Sequence, residues 1–165
     1  MAKKPNYRVN YDDIPELNVK PMDTGNDAPF VVRLVHGTET SIMFADRGPG
    51  YHTKPHYHDA EQINYVVSGE MWFFVDGFGY HCTKGDIMRI PRNKIHWAWN
   101  RADEHCVLIE SHTPPLIGDE DLKGKAVPLL APDEDLEAVN AVENLRDPYD
   151  QAEVDAIEAR AIAEE

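Results

Sequence analysis

The sequence predicts an all-β fold, an antiparallel sandwich or barrel, with a polar N-terminal arm and a C-terminal α-helical extension. Three observations carry that expectation. Short β-rich runs crowd the middle of the chain, turn signals separate them, and helical spacing enters only near the C-terminus. Parallel α/β sheets need a crossover helix for each strand pair, so many short strands with no helix between them point to antiparallel pairing.

Residues 1–30 are polar and punctuated by Pro5, Pro15, Pro21 and Pro29, and read as an arm laid over the surface, with a helical turn near residues 12–17. The runs 31–35, 40–45, 63–67, 71–75, 87–90, 97–100 and 106–110 follow as strands of one barrel unit, residues 31–115. Gly48-Pro49-Gly50, Ser68-Gly69-Glu70, Asp76-Gly77, Lys84-Gly85-Asp86 and Arg92-Asn93 supply the turns between them. Residues 116–165 form a loop and an acidic helical tail. Within it, Leu136, Val139, Val142 and Leu145 recur at threes and predict one helical face after Pro132. A second helix is expected from Asp150, with Glu153 in the capping-box position, through Val154, Ile157 and Ala161. Both helices are expected against the outside of the barrel or against a partner subunit.

The length of 165 residues suits one domain with a core of its own. Net charge is −14, and ten of those charges fall within residues 133–165. So acidic a tail disfavours nucleic acid and anionic membrane as partners, because both require a basic patch. No apolar run has the length to cross a bilayer, and the N-terminus has charges and a proline where a secretory signal needs apolar residues. Cys82 and Cys106 lack CxxC spacing and read as reduced, buried thiols, so the expected setting is cytoplasmic.

The residues that carry chemistry lie between Gly50 and Asn100. His56 and His58 are two apart, so on a strand their side chains leave the same face. Four residues further on, Gln62 keeps that parity and brings a carbonyl oxygen to the same side, while its neighbour Glu61 falls on the opposite face of a regular strand. His96 follows Pro91 and a turn, where a neighbouring strand returns to the pair. Three imidazoles and one oxygen donor suit a divalent first-row metal. A lone histidine such as His36, His81 or His105 is more often a surface or core residue than a ligand, so the weight rests on the joint spacing.

That spacing resembles the cupin family. Gly50, five residues, His56-Tyr57-His58, three residues, Gln62, six residues and Gly69 resemble the first cupin motif, with Gln62 where the family usually places Glu. Gly85, Pro91, His96 and Asn100 resemble the second, with Asn93 where glycine is usual. Asparagine tolerates a left-handed backbone, so that position stays a turn. The resemblance implies a double-stranded β-helix, the cupin jelly roll, holding one metal ion inside through His56, His58, Gln62 and His96. Fe(II) ranks first, with Mn, Ni or Zn as alternatives.

Parity with Gln62 turns Asn64 and Val66 inward and Tyr65 outward. Trp72, Phe73, Phe74, Trp97 and Trp99 divide between core and pocket lining. Tyr51, His52, Lys54, Tyr57, Arg89 and His112 are the polar groups within reach of the barrel mouth. Asn64 is a candidate substrate contact, and Lys54 or Arg89 a candidate carboxylate anchor, each against the alternative of a solvated surface charge. Three functions fit this sequence. The first is a non-haem Fe(II) dioxygenase acting on a small organic molecule. The second is a non-redox lyase or isomerase using the metal as a Lewis acid on a small carboxylate or sugar acid. The third is a non-catalytic small-ligand-binding protein. A homodimer is expected, through Ile42, Phe44 and the predicted helix face at residues 136–145.

Overall fold

A computed structural model describes residues 4–19, 28–119, 122, 124–135, 137 and 139–165. Among these, ten strands run in chain order: β1 (Leu17–Asn18), β2 (Phe30–His36), β3 (Ser41–Arg47), β4 (Glu61–Ser68), β5 (Glu70–Val75), β6 (Phe78–Thr83), β7 (Ile87–Ile90), β8 (His96–Trp99), β9 (Cys106–Thr113) and β10 (Val127–Pro128). One α-helix, α1 (Gln151–Glu164), follows. A seven-stranded sheet has the order β1-β2-β3-β9-β4-β7, with β10 parallel to β2, and a three-stranded sheet has the order β6-β5-β8. Their inner faces close on one core that includes Leu34, Met43, Val66, Met71, Phe73 and Leu108. The architecture is the expected all-β jelly roll with a C-terminal helix.

Alternation builds it. On β3 and β9 every second residue is buried, as a sheet with one covered face requires. Strand β5 departs from that rule, with all of Met71 to Val75 buried. Met71, Phe73 and Val75 enter the barrel core, and Trp72 and Phe74 lie on the opposite face with Trp97 and Val154 of α1. The helix therefore covers the outer face of the smaller sheet. Its start follows from the Asp150 side chain, which accepts from the Ala152 N–H at 2.9 Å and satisfies a free backbone donor. Gly79 of β6 permits the approach, since a Cβ there would fall 2.3 Å from Ala161.

Strand β6 was not among the expected runs. Its apolar residues Phe78 and Tyr80 are exposed and only Cys82 is buried, so it carries no inward apolar row to read. What makes it is the turn before it: Asp76 (φ 53°) and Gly77 (φ 83°) are both left-handed, the twist that joins two antiparallel strands.

The first predicted tail helix is corrected. Leu136 lies outside the described residues, and residues 139–150 are not helical. Val142 instead pairs in parallel with Leu116, and Leu145 pairs antiparallel with Tyr57, so this segment is an extended strap across the barrel. The physical reason lies in the spacing. Each step of three turns a helix by about 300°, so four apolar residues at strict threes sweep about half the circumference instead of holding one face. In the arm, the helical turn is a 3-10 turn at Tyr11–Asp13, capped by Asn10, with Leu17 and Asn18 already paired to β2. Among the described residues no helix is long and apolar enough to cross a membrane. Cys82 and Cys106 are free and buried, and burial pushes their thiols up to about 11 and about 12, far from reactive.

Candidate metal centre

The two motifs meet through backbone hydrogen bonds. His56 and His96 donate to each other's carbonyls at 3.1 and 2.9 Å, so they stand directly opposite and their side chains leave one face. Ring centroids of His56 and His96 lie 4.3 Å apart, those of His58 and His96 4.9 Å, and those of His56 and His58 6.4 Å. The turn between β7 and β8 helps hold this arrangement. Asn93 is left-handed (φ 60°), its N–H donates to the His58 carbonyl at 2.9 Å, and its amide donates to Asp59 at 3.0 Å.

Each ring has its tautomer set by the backbone. Nδ1 of His56 donates to the Lys54 carbonyl at 2.8 Å, Nδ1 of His58 to the Ala60 carbonyl at 3.0 Å, and Nδ1 of His96 to the Lys94 carbonyl at 2.8 Å. A carbonyl only accepts, so in all three rings the proton sits on Nδ1 and the lone pair on Nε2. Burial also keeps the rings neutral. Loss of solvent lowers His56 to about 4, lowers His58, and lowers His96 well below its ordinary value, with the neighbouring histidines adding to the effect on His96.

Gln62 is buried and points inward, as its parity predicts. Its amide nitrogen donates to Asn64 Oδ1 at 2.7 Å and to Glu110 Oε2 at 3.1 Å, which leaves Oε1 toward the histidines. That oxygen lies 3.1 Å from His58 Nε2. With the His58 proton on Nδ1, two lone pairs face each other there, a repulsive contact unless a cation joins them. Two ligands at right angles on one ion, with bonds of about 2.1 Å, are separated by about 3.0 Å. His96 Nε2 is likewise buried with no hydrogen-bond partner. The donor set therefore fits a divalent first-row cation by chemistry and by proximity. Among the described residues no three His, Cys, Asp or Glu side chains have ligating geometry as they stand.

The other expected site residues divide. Asn64 is fully buried beside Gln62, and its Nδ2 has no partner. Lys54 meets the site through its backbone carbonyl, the acceptor for His56. Arg89 is on the outer face, paired with Glu61 at 2.5 Å, because its neighbour Ile90 takes the inward position on β7. Of the two expectations for Arg89, a carboxylate anchor at the barrel mouth and a solvated surface charge, the first is corrected in favour of the second, and Glu61 lies on the opposite face from Gln62. His112 is buried opposite Gln62 in the β4–β9 register, 5.5 Å from the His58 ring, with Nδ1 unpartnered. His52 belongs to the helix side, where Glu158 Oε1 lies 2.8 Å from both His52 Nε2 and Trp97 Nε1. Tyr57 reaches outward to Asp147 at 3.4 Å.

Sequence reading missed Arg47 and Glu110. Both are buried, and they form an ion pair inside the barrel. Burial raises the Glu110 carboxyl above its ordinary value and Arg47 opposes that rise. Tyr51 lies beneath the guanidinium, 4.8 Å away, and burial pushes its hydroxyl up to about 12. The signal was present in the alternation of β9, where Glu110 falls between the inward residues Leu108 and His112.

Comparison with known proteins agrees with the fold and the motifs. Residues 43–112 match the model of the cupin domain. A 48-residue segment is 42% identical to acireductone dioxygenase from Leptospira biflexa, covering 27% of each chain. A longer stretch of 116 residues is 26% identical to the HTH-type transcriptional regulator PuuR of Escherichia coli, covering 67% of this chain and 58% of the regulator. The chain thus spans about a quarter of the first relative and under two thirds of the second. In fold, it is similar to the polyketide cyclase RemF from Streptomyces resistomycificus, with a TM-score of 0.55 at 20% identity over 64% of this chain and 78% of that one. With both motifs in place and the jelly roll closed, residues 43–112 are similar in sequence to the cupin domain, and the fold is similar to that of a solved cyclase of the same architecture.

Proposed function

We propose that this protein is a metal-dependent enzyme acting on a small organic molecule, and that it is a non-haem Fe(II) dioxygenase. The observation that carries the proposal is the trio of neutral histidines, each with Nδ1 held by a carbonyl and the lone pair therefore on Nε2, beside the oxygen of Gln62, which lies 3.1 Å from His58 Nε2. His56, His58, Gln62 and His96 would hold the ion, which when bound supplies electrons for dioxygen and a Lewis-acidic point for the substrate. The chain does the rest. Carbonyls of Lys54, Ala60 and Lys94 orient the rings, burial keeps them unprotonated, and Asn64 Nδ2 is a buried donor available to a substrate oxygen. The local likeness to a protein named acireductone dioxygenase supports oxygen chemistry over the alternatives. A reducing cytoplasm, in which ferrous iron and the two thiols both persist, belongs to the same reading.

The neutral Gln62 favours a second reading. An amide where a carboxylate is usual leaves the site one unit more positive, which strengthens Lewis acidity and opposes oxidation of the ion, as a lyase or isomerase using Mn, Ni, Zn or Fe would require. Anaerobic purification, metal analysis and an oxygen electrode with a panel of catechols, thiols and 1,3-dicarbonyls separate the two. Substrate-dependent oxygen uptake is the expected result, and turnover without oxygen consumption would transfer the assignment to the second reading.

The proposal includes a homodimer. Phe44, Ile109, Tyr65 and Ile87 form one cross-strand row on the outer face of the larger sheet, and Ile42 and Ile63 are exposed in the next row. Such a face is suited to a symmetric contact between copies. Light scattering at twice the chain mass is expected, and a monomeric mass would refute it.

A further inference from the structure

Inside the barrel, a buried polar chain runs from the centre to the wall. Arg47 Nη2 donates to Glu110 Oε1, Glu110 Oε2 accepts from Gln62 Nε2 at 3.1 Å, and Gln62 Nε2 also donates to Asn64 Oδ1 at 2.7 Å. Both oxygens of Glu110 accept, and both hydrogens of the Gln62 amide are committed. A flip of that amide would set Oε1 against a carboxylate and a carbonyl, losing two hydrogen bonds and adding two repulsions in a place without solvent. Arg47 is itself held, with its guanidinium over Tyr51 at 4.8 Å and over Phe30 at 5.5 Å.

We propose that the Arg47–Glu110 pair is a positioning device that fixes the Gln62 amide with its oxygen toward the histidines, and that glutamine stands at 62 because Glu110 occupies the adjoining place. The inference rests on the metal-site reading above. A carboxylate at 62 would stand about 3 Å from that of Glu110, and two like charges at that distance do not both stay ionised. The negative charge that a glutamate at 62 would bring to the ion is therefore present one residue further out, neutralised by Arg47. Glu110 touches neither ion nor substrate in this role.

The test uses the full-length protein freed of metal and titrated with Co(II), whose visible spectrum reports both affinity and ligand geometry. Four proteins are compared: wild type, Gln62→Glu, the double variant Arg47→Met/Glu110→Gln, and the triple variant combining them. Thermal melting of each metal-free protein is recorded first. Glutamate is the better ligand in isolation, yet Gln62→Glu alone is expected to bind Co(II) no more tightly than wild type. Added to the double variant, the same change is expected to tighten binding at least tenfold. The double variant by itself should bind about tenfold more weakly than wild type, with shifted cobalt bands, because a glutamine at 110 presents either its oxygen or its nitrogen and no longer orients Gln62. Equal gains from Gln62→Glu in both backgrounds, or an unchanged affinity and spectrum in the double variant, would overturn the proposal and leave the metal reading intact. Wild type that takes up no Co(II) would overturn both. Should the double variant fail to fold, Gln62→Glu decides alone, and a tenfold tighter complex than wild type would refute the inference.

Discussion

Two inward-facing rows of the barrel are equally buried and chemically opposite. On β5, Met71, Phe73 and Val75 point inward and are wholly apolar, while on β4 and β9 the inward positions include Gln62, Asn64, Glu110 and His112. The difference teaches where stability and function reside. An apolar row gains free energy by leaving water, about 1.5–3 kcal/mol for each large side chain fully buried. A buried polar row gains little and loses heavily wherever a group lacks a partner. Here Asn64 Nδ2 and His112 Nδ1 lack one among the described residues, as does His96 Nε2 on β8, a cost that the proposed metal centre would account for.

Substitutions on the two sides should therefore separate binding from stability. The largest expected effect on binding is at His96. His96→Ala should weaken divalent-metal affinity by more than about a hundredfold, beyond what changes outside the ligand set produce, while the metal-free melting temperature changes little or rises as an unpartnered buried nitrogen is removed. Competition titration with a chromophoric chelator measures the first quantity and calorimetry the second. Phe73→Ala should do the reverse, destabilising the fold by about 3–5 kcal/mol in denaturant titrations while the histidine cluster keeps its metal affinity in whatever fraction stays folded. A smaller effect is expected at Asn64. Asn64→Leu should leave stability within about 1 kcal/mol but lower metal affinity about tenfold, since Gln62 loses one of its two acceptors.

Acid should distinguish the two sides without mutation. Four histidines, His56, His58, His96 and His112, have lowered proton affinity in the fold. Between about 6.5, the ordinary value, and about 4, that of His56 in the fold, the unfolded chain binds more protons than the native one. Stability contributed by keeping these rings neutral is thus complete above about pH 6.5 and is lost as pH falls toward 4. Metal-free melting temperature should fall steadily from pH 7 to pH 5, and an equal drop in a His58→Leu/His112→Leu variant would contradict this origin. The smallest effect belongs to the outer face. Glu61→Gln should break the exposed pair with Arg89 at a cost of about 0.5 kcal/mol or less and leave metal affinity unchanged. A large loss of affinity there would move the oxygen ligand from Gln62 to its neighbour.

Local physics explains what was legible. The HxH pair, the parity of Gln62, Asn64 and Val66, the left-handed Asn93 and the Asp150 cap all depend on residues within a few positions of one another. The strap at residues 139–150 misled because a strict spacing of three imitates helical periodicity over a short window. Strand β6 was silent because its large apolar residues are not buried, and Arg89 was misassigned because strand parity had not been set for β7.

From sequence alone came the strand-rich middle, the two motifs, the inward parity of the neutral Gln62 and the terminal helix, since dihedral preference, alternation and capping act over short stretches of chain. Tertiary structure alone decided that Arg47 meets Glu110 across 63 positions, that His112 stands behind His58, and that Glu158 ties α1 to Trp97. Those contacts depend on the register between β3, β9 and β4 and on which outer face the helix covers. Both are settled by packing the whole core at once, a condition that no short window of sequence contains.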